Sequence, residues 1–205
     1  NTVGGMDKSE AKFKAYLDAP EKYTAFENFA LHECGLITTL TTQALELDCF
    51  HTTISTACSS SANSIMLAAK LIKQDKYDVV IAGGADALSK FTVNGFKSLM
   101  ILDKEHCKPY DENRQGLNIG EAAAYLVLAN EKAVQQWNIK PIAHVSGYAN
   151  ANDAHHQTAS SPEGTGNQLA MKKALQIANL SPSDIDYINL HGTGTLNNDA
   201  SEGIA

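Results

Sequence analysis

Residues 48–84 constrain the fold more than any other stretch of the chain. Residues 48–56 are short and rich in β-branched side chains, which predicts a strand. Small residues follow at Ala57, Cys58 and Ser59. Residues 60–73 then set Ala62, Ile65, Met66, Ala69 and Ile72 at helical spacing. Residues 77–82 are apolar almost without alternation, which predicts a central strand covered on both faces and closed by Gly83 and Gly84. Strand, helix and strand in that order predict a parallel βαβ unit. Cys58 falls at its first turn.

That position matters chemically. The N–H groups and dipole at the start of a helix favour the thiolate, the nucleophilic form of cysteine. The same thiol in mid-strand would be an inert small hydrophobe.

The rest of the chain continues the α/β reading. Residues 8–23 predict a helix broken at Pro20, and residues 28–47 have helical composition. A polar segment at 102–120 precedes a strand at 123–128 and a short helix at 131–137. Residues 141–146 read as a strand, 150–166 as a loop, and 168–178 as an amphipathic helix. Ser181-Pro182-Ser183-Asp184 signals a short helix, with a capping residue, an early proline and an acid in the first turn. Residues 185–190 read as a strand ending at His191, so Cys58 and His191 both follow predicted strand ends, where open α/β sheets place their ligands.

Composition excludes several classes. A net charge of -7 argues against a nucleic-acid partner, and no apolar run is long enough to cross a bilayer. Cys34, Cys49, Cys58 and Cys107 show no metal-ligand spacing, so neither a metal site nor a disulfide framework is expected, and a reducing, cytoplasmic setting follows. Cys34 and Cys49 read as core fillers and Cys107 as an incidental loop thiol. His155 and His156 are adjacent, and adjacent side chains point apart on most backbones, which argues against a metal pair.

The second constellation is His191-Gly-Thr-Gly-Thr195, followed by Asp199 and Glu202. Its glycines permit a tight turn and a close approach of backbone to ligand. The spacing of Asp199 and Glu202 predicts a capping box for the next helix. Arg114 is the only arginine beside 15 lysines; its planar fork suits a structural ion pair, with Asp111 as the expected partner.

Together these segments resemble the β-ketoacyl synthase family of condensing enzymes. Thr56-Ala-Cys58-Ser-Ser resembles its nucleophile signature, and His191-Gly-Thr-Gly-Thr195 its first active-site histidine motif. Ala82-Gly-Gly-Ala-Asp86, the run from Pro109 to Gly116, and Gly120-Glu121-Ala-Ala are similar to the segments between them. Val3-Gly4-Gly5-Met6 is similar to an upstream turn. The resemblance implies a thiolase-like layered α/β/α arrangement, present in part: residues 1–130 would carry the nucleophile half, and 131–205 the start of the half bearing the histidine.

It implies 3-oxoacyl-(acyl-carrier-protein) synthase chemistry in fatty-acid, polyene or polyketide synthesis. Cys58 would accept the acyl group, its own N–H serving the oxyanion, and His191 would donate to the malonyl thioester carbonyl. Thr193 and Thr195 would bind the phosphopantetheine arm, and Thr158 would lie at the pocket rim. Asp111, Arg114, Glu121, Asp199 and Glu202 are expected to give structural support. No cofactor or metal is implied. The expected partners are an acyl carrier protein and a like or related subunit, with Lys70, Lys73 and Lys76 as a candidate docking face.

The sequence also departs from the family. No histidine follows His191 and no lysine follows Lys173; Leu196 replaces a usual proline, and Ala122 a common glycine. The expectation is that the 205-residue chain alone does not complete condensation. A catalytically silent partner subunit and a Cys-His acyl hydrolase are the alternatives.

Overall fold

The computed structural model describes residues 6–22, 32–156 and 159–205. The chain forms two compact units, one of residues 1–96 and 119–138, the other of residues 97–118 and 139–205.

The first unit is built around helix α3 on a two-stranded sheet. It contains α1 (Met6–Asp18), α2 (Leu36–Ala44), α3 (Ser60–Lys73), β1 (Val79–Asp86), β2 (Ala122–Ala129) and α5 (Glu131–Trp137), with α4 (Lys90–Ser98) leading out of it. α1 stops at Asp18, two residues short of Pro20, whose ring disfavours a helical residue before it. Glu10 of α1 accepts from the N–H groups of Lys90 and Phe91, at 2.8 and 2.6 Å, and so satisfies orphan donors at the start of α4.

β1 and β2 pair antiparallel from Val79 opposite Ala129 to Asp86 opposite Ala122. Gly83 and Gly84 continue β1 rather than closing it. A side chain at Gly83 would strike the Ala124 carbonyl of β2 at 2.1 Å, and one at Gly84 would strike Ser61 Oγ of α3 at 2.3 Å. Gly83 thus lets β2 lie close against β1, and Gly84 lets the first turn of α3 approach the sheet. α5 is capped by Asn130, whose side chain accepts from Ala133 N at 2.9 Å. Asn130 also donates to Asp78 at 2.7 Å, and Lys132 pairs with the same carboxylate at 3.0 Å. Asn130 first, then Lys132, hold Asp78 below the usual carboxylate range.

The second unit contains α6 (Thr165–Ala178) and α7 (Leu196–Ile204). Gly147 lies so close to α6 that a Cβ there would meet the Ala174 carbonyl at 2.2 Å. Ser201 of α7 donates to the Ser161 carbonyl at 2.7 Å, just ahead of α6. Between the two helices, residues 182–184 form the expected short turn, a 3-10 helix, in which Ser181 N donates to Asp184 at 2.7 Å.

Several expectations are corrected. Residues 48–56, 141–146 and 185–190 form no strand, and the observed sheet pairing is antiparallel. Strands exist by their ladders, and among the described residues these segments have no ladder partner. A cavity of about 390 Å³ separates residues 49–54 from β1, lined by Phe50, Ile54, Leu67, Leu71, Val79 and Ile81 among others. Of residues 32–47, Leu36–Ala44 form the helix, and α4 arises where no helix was expected. The expected helix end at Tyr23, the turn at residues 3–5 and residues 28–31 lie outside the described residues.

Candidate functional site

Two groups of residues carry the chemistry, one in each unit. In the first unit the chain arrives extended, turns at Ala57 and enters α3 with Ser59 at the N-cap. Ala57 has φ +53°, a left-handed conformation unusual for a residue with a Cβ. Dense local bonding holds it there. Thr56 N donates to Ser60 Oγ at 2.8 Å, and Ser60 Oγ donates to the Ala57 carbonyl at 2.7 Å. Asn63, only 6% exposed, donates to Thr56 Oγ1 at 2.8 Å from one turn up the helix.

The result is a fixed elbow with Cys58 exposed at its tip, one residue ahead of the cap. The expected strand before it is absent; an isolated Thr56–Cys58 bridge stands in its place. Asn63 is a member of this site that the sequence reading missed. Its local signal was weak: an amide one turn above Ser59 and Ser60, among the polar residues that open the helix.

In the second unit, His191–Thr195 wraps around two carboxylates of α7. Glu202 accepts from His191 N at 2.6 Å and from Gly192 N at 3.0 Å. Asp199, 2% exposed, accepts from Gly194 N at 3.2 Å and from Tyr110 N at 2.8 Å. The predicted capping box is therefore corrected. Thr195 is the N-cap, and Asp199 and Glu202 lie too far into the helix to cap it, so they reach back to bind the turn. Burial pushes the Glu202 carboxyl up, but the Gly192 and His191 amides and the Tyr110 hydroxyl outweigh it and hold the group below its usual range.

Gly192 and Gly194 have φ of +55° and +71°. A side chain at 194 would also meet the Gly116 carbonyl at 2.5 Å and Cys107 Sγ at 2.7 Å. Cys107 is thus no incidental thiol; its Sγ donates to the Thr193 carbonyl at 3.3 Å, and its N–H is held by Asn118 at 2.7 Å. Thr193 and Thr195 share a hydroxyl hydrogen bond of 2.8 Å.

Arg114 takes a different partner from the one expected. Its Nε lies 3.4 Å from Asp199 Oδ2, while Asp111 offers its carbonyl, at 2.8 Å, and its carboxylate accepts from Asn113 N. Glu121 belongs to the first unit and accepts from Leu88 N at 2.9 Å. Thr158 lies outside the described residues. The structure therefore assembles His191, Thr193, Thr195, Asp199, Glu202 and Arg114 in one unit, and Cys58 with its elbow in the other.

The family description "Beta-ketoacyl synthase, N-terminal domain" matches residues 4–133, and "Beta-ketoacyl synthase, C-terminal domain" matches residues 142–205. The chain belongs to the β-ketoacyl synthase family. The chain is 35% identical over 153 residues to 3-oxoacyl-(acyl-carrier-protein) synthase 2 of Staphylococcus aureus, an alignment covering 72% of the chain and 38% of that protein. It superposes on a ketosynthase (ApeO) in complex with its chain length factor (ApeC) from Xenorhabdus doucetiae, with TM-score 0.85 and 36% identity, over 99% of this chain and 49% of that one.

It also superposes on a chain of the structure of a type II PKS acyl-carrier protein in complex with its ketosynthase bound to the hexaketide, with TM-score 0.76 and 26% identity, over 82% of this chain and 43% of that one. The expected thiolase-like α/β fold is thereby present in part. The chain spans less than half the length of the curated relative it matches.

Proposed function

We propose that this chain carries the acyl-accepting part of a 3-oxoacyl-(acyl-carrier-protein) synthase and that Cys58 is the acceptor. The observation that carries this reading is the elbow. A thiol is presented exposed, one residue ahead of a helix cap, on a turn held at positive φ by Thr56, Ser60 and Asn63. The helix N-terminus favours the thiolate without a dedicated base.

In the proposed first step the Cys58 thiolate attacks the carbonyl of an acyl thioester. The carrier thiolate leaves and takes up a proton, and an acyl-enzyme remains. In the second step a malonyl thioester loses CO2, its carbanion attacks the acyl carbonyl, and the Cys58 thiolate departs to leave a 3-ketoacyl thioester. His191, as a neutral donor, would stabilise the enolate oxygen as charge develops. The Cys58 N–H would serve the oxyanion of the acyl transfer.

Thr193 and Thr195, already paired through their hydroxyls, would meet the amides of the phosphopantetheine arm. No cofactor enters these steps. The reading extends to an acyl carrier protein as partner, with Lys70 and Lys73 in the last turn of α3 as a docking face. It also extends to a cytoplasmic setting and assembly with a like or related subunit, as in the ketosynthase solved with a chain length factor. No helix among the described residues is long and apolar enough to cross a membrane.

The test is intact-protein mass after mixing the 205-residue chain with an acyl-carrier-protein thioester. An acyl adduct that is lost in Cys58→Ala supports the reading. No adduct favours a silent partner subunit, and repeated release of free acid favours a hydrolase. Without further residues from outside the chain, sustained formation of 3-ketoacyl product is not expected.

A further inference from the structure

Tyr110 was not singled out in the sequence, yet it is the residue that joins both carboxylates of α7. Its backbone N–H donates to Asp199 Oδ2 at 2.8 Å and its hydroxyl donates to Glu202 Oε2 at 2.8 Å. Asp199 and Glu202 together hold the N–H groups of His191, Gly192 and Gly194.

We propose that Tyr110 is a positioning residue for His191, setting the charge and aim of the Glu202 carboxylate that fixes the His191–Gly192 backbone. The proposal rests on the condensing-enzyme reading for its purpose, since only there does the histidine touch substrate. Its physical content stands apart from that reading.

Three observations support it. Tyr110 has φ +64° at the third position of a turn that Pro109 opens and that Asp111 N closes on the Lys108 carbonyl at 3.1 Å, so the backbone that carries the phenol is fixed next to its α7 partners. Its ring passes over Gly203, where an added Cβ would sit 3.4 Å from Cε1, so α7 leaves room for the ring on its way to Glu202. Glu202 Oε2 is shared between Gly192 N and the phenol, so removing the phenol leaves that oxygen held from one side only. The link also marks the phenol itself, whose pKa is pushed up to about 12, first by burial and then by the Glu202 carboxylate.

The groups facing Glu202 are Tyr110 from the preceding loop, the His191 and Gly192 backbone and the His191 ring; Asp199 lies one turn back on α7 and acts on the phenol.

The experiment uses the full chain, labelled with nitrogen-15. The amide resonances of His191 and Gly192 are followed against pH in wild type and Tyr110→Phe, which keeps the ring and deletes only the hydroxyl. The expected result is that Tyr110→Phe keeps the wild-type circular dichroism. Both amides shift, and the carboxylate titration they report moves upward. Unchanged amides with an unchanged midpoint in folded Tyr110→Phe would overturn the proposal.

Should Tyr110→Phe not fold, Glu202→Gln reads the same link from the other side. Of the seven tyrosines, Tyr110 is the one expected to titrate late by absorbance in wild type. It falls toward the ordinary 10.0 in Glu202→Gln if the link exists, and stays where it was if the link does not. Failure of Cys58 acylation in wild type would count against the condensing reading alone, because neither Tyr110 readout depends on it.

Discussion

Asp199 concentrates more of the second site than any other side chain. One buried carboxylate ties the Arg114 guanidinium, the Tyr110 amide and the Gly194 amide, so the loop of Tyr110 and Arg114 and the turn at Gly194 lose their common partner if it goes. Removing one member of a buried pair leaves an uncompensated charge. Asp199→Ala should therefore cost about 3 kcal/mol in urea unfolding. A loss within about 0.5 kcal/mol, the usual range for surface changes, would show that the cluster is solvated and weak.

Glu202 makes a different prediction, because its carboxyl is held below the ordinary 4.5 in the folded protein. The unfolded chain binds the proton more tightly than the native one, so the Glu202 contribution is fully present above 4.5 and fades as pH falls through the lower, folded value. Wild type should thus lose more stability than Glu202→Gln on acidification into that range, read as thermal midpoints at successive pH values. Parallel curves would remove Glu202 from the acid response. Cys58 and His191 stood out in the sequence because chemistry restricts which residue types can do their work. Tyr110 and Cys107 did not, since each matters through a partner more than 80 positions away, which nothing in their local sequence announces.

Among the elements, α3 and α5 were readable because their signals are local. The first has a clean apolar stripe after a run of serines, the second an asparagine cap and an αL asparagine at its end. Residues 48–56, 141–146 and 185–190 have strand composition, but a strand is a relation between segments, and composition cannot report whether a partner is present. Gly83 and Gly84 were misread for a related reason. Their purpose lies in what they face across the sheet and under α3, and in sequence they resemble a turn.

The contact at Gly84 can be tested. Gly84→Ala would put a methyl group 2.3 Å from Ser61 Oγ; that hydroxyl can rotate away, so the cost should stay at the low end of overpacking, about 1 kcal/mol. Because Ser61 lies in the first turn of α3, the same variant should slow Cys58 alkylation by iodoacetamide or alter its pH dependence. An unchanged alkylation rate in a destabilised variant would separate the elbow from the sheet contact.

At the level of the whole molecule the apolar side chains are poorly covered. The buried hydrophobic residues among those described are Ala68, Ala82 and Ala133, whereas Ile142 is fully exposed and Val127, Ile188 and Leu126 are more than half exposed. Surfaces of this kind bind other apolar matter. The chain should bind 1-anilinonaphthalene-8-sulfonate strongly under native conditions; fluorescence no higher than that of a well-packed globular control would mean that these side chains are covered in solution.

That the buried hydrophobic side chains among the described residues are three methyl groups has a thermal consequence as well. The heat-capacity increment of unfolding scales with the apolar area newly wetted, typically about 12–15 cal/mol/K per residue. Here most large aliphatic groups are already wet before melting begins. The increment should fall short of that range, the stability curve should be flat with temperature, and the calorimetric transition should be broad.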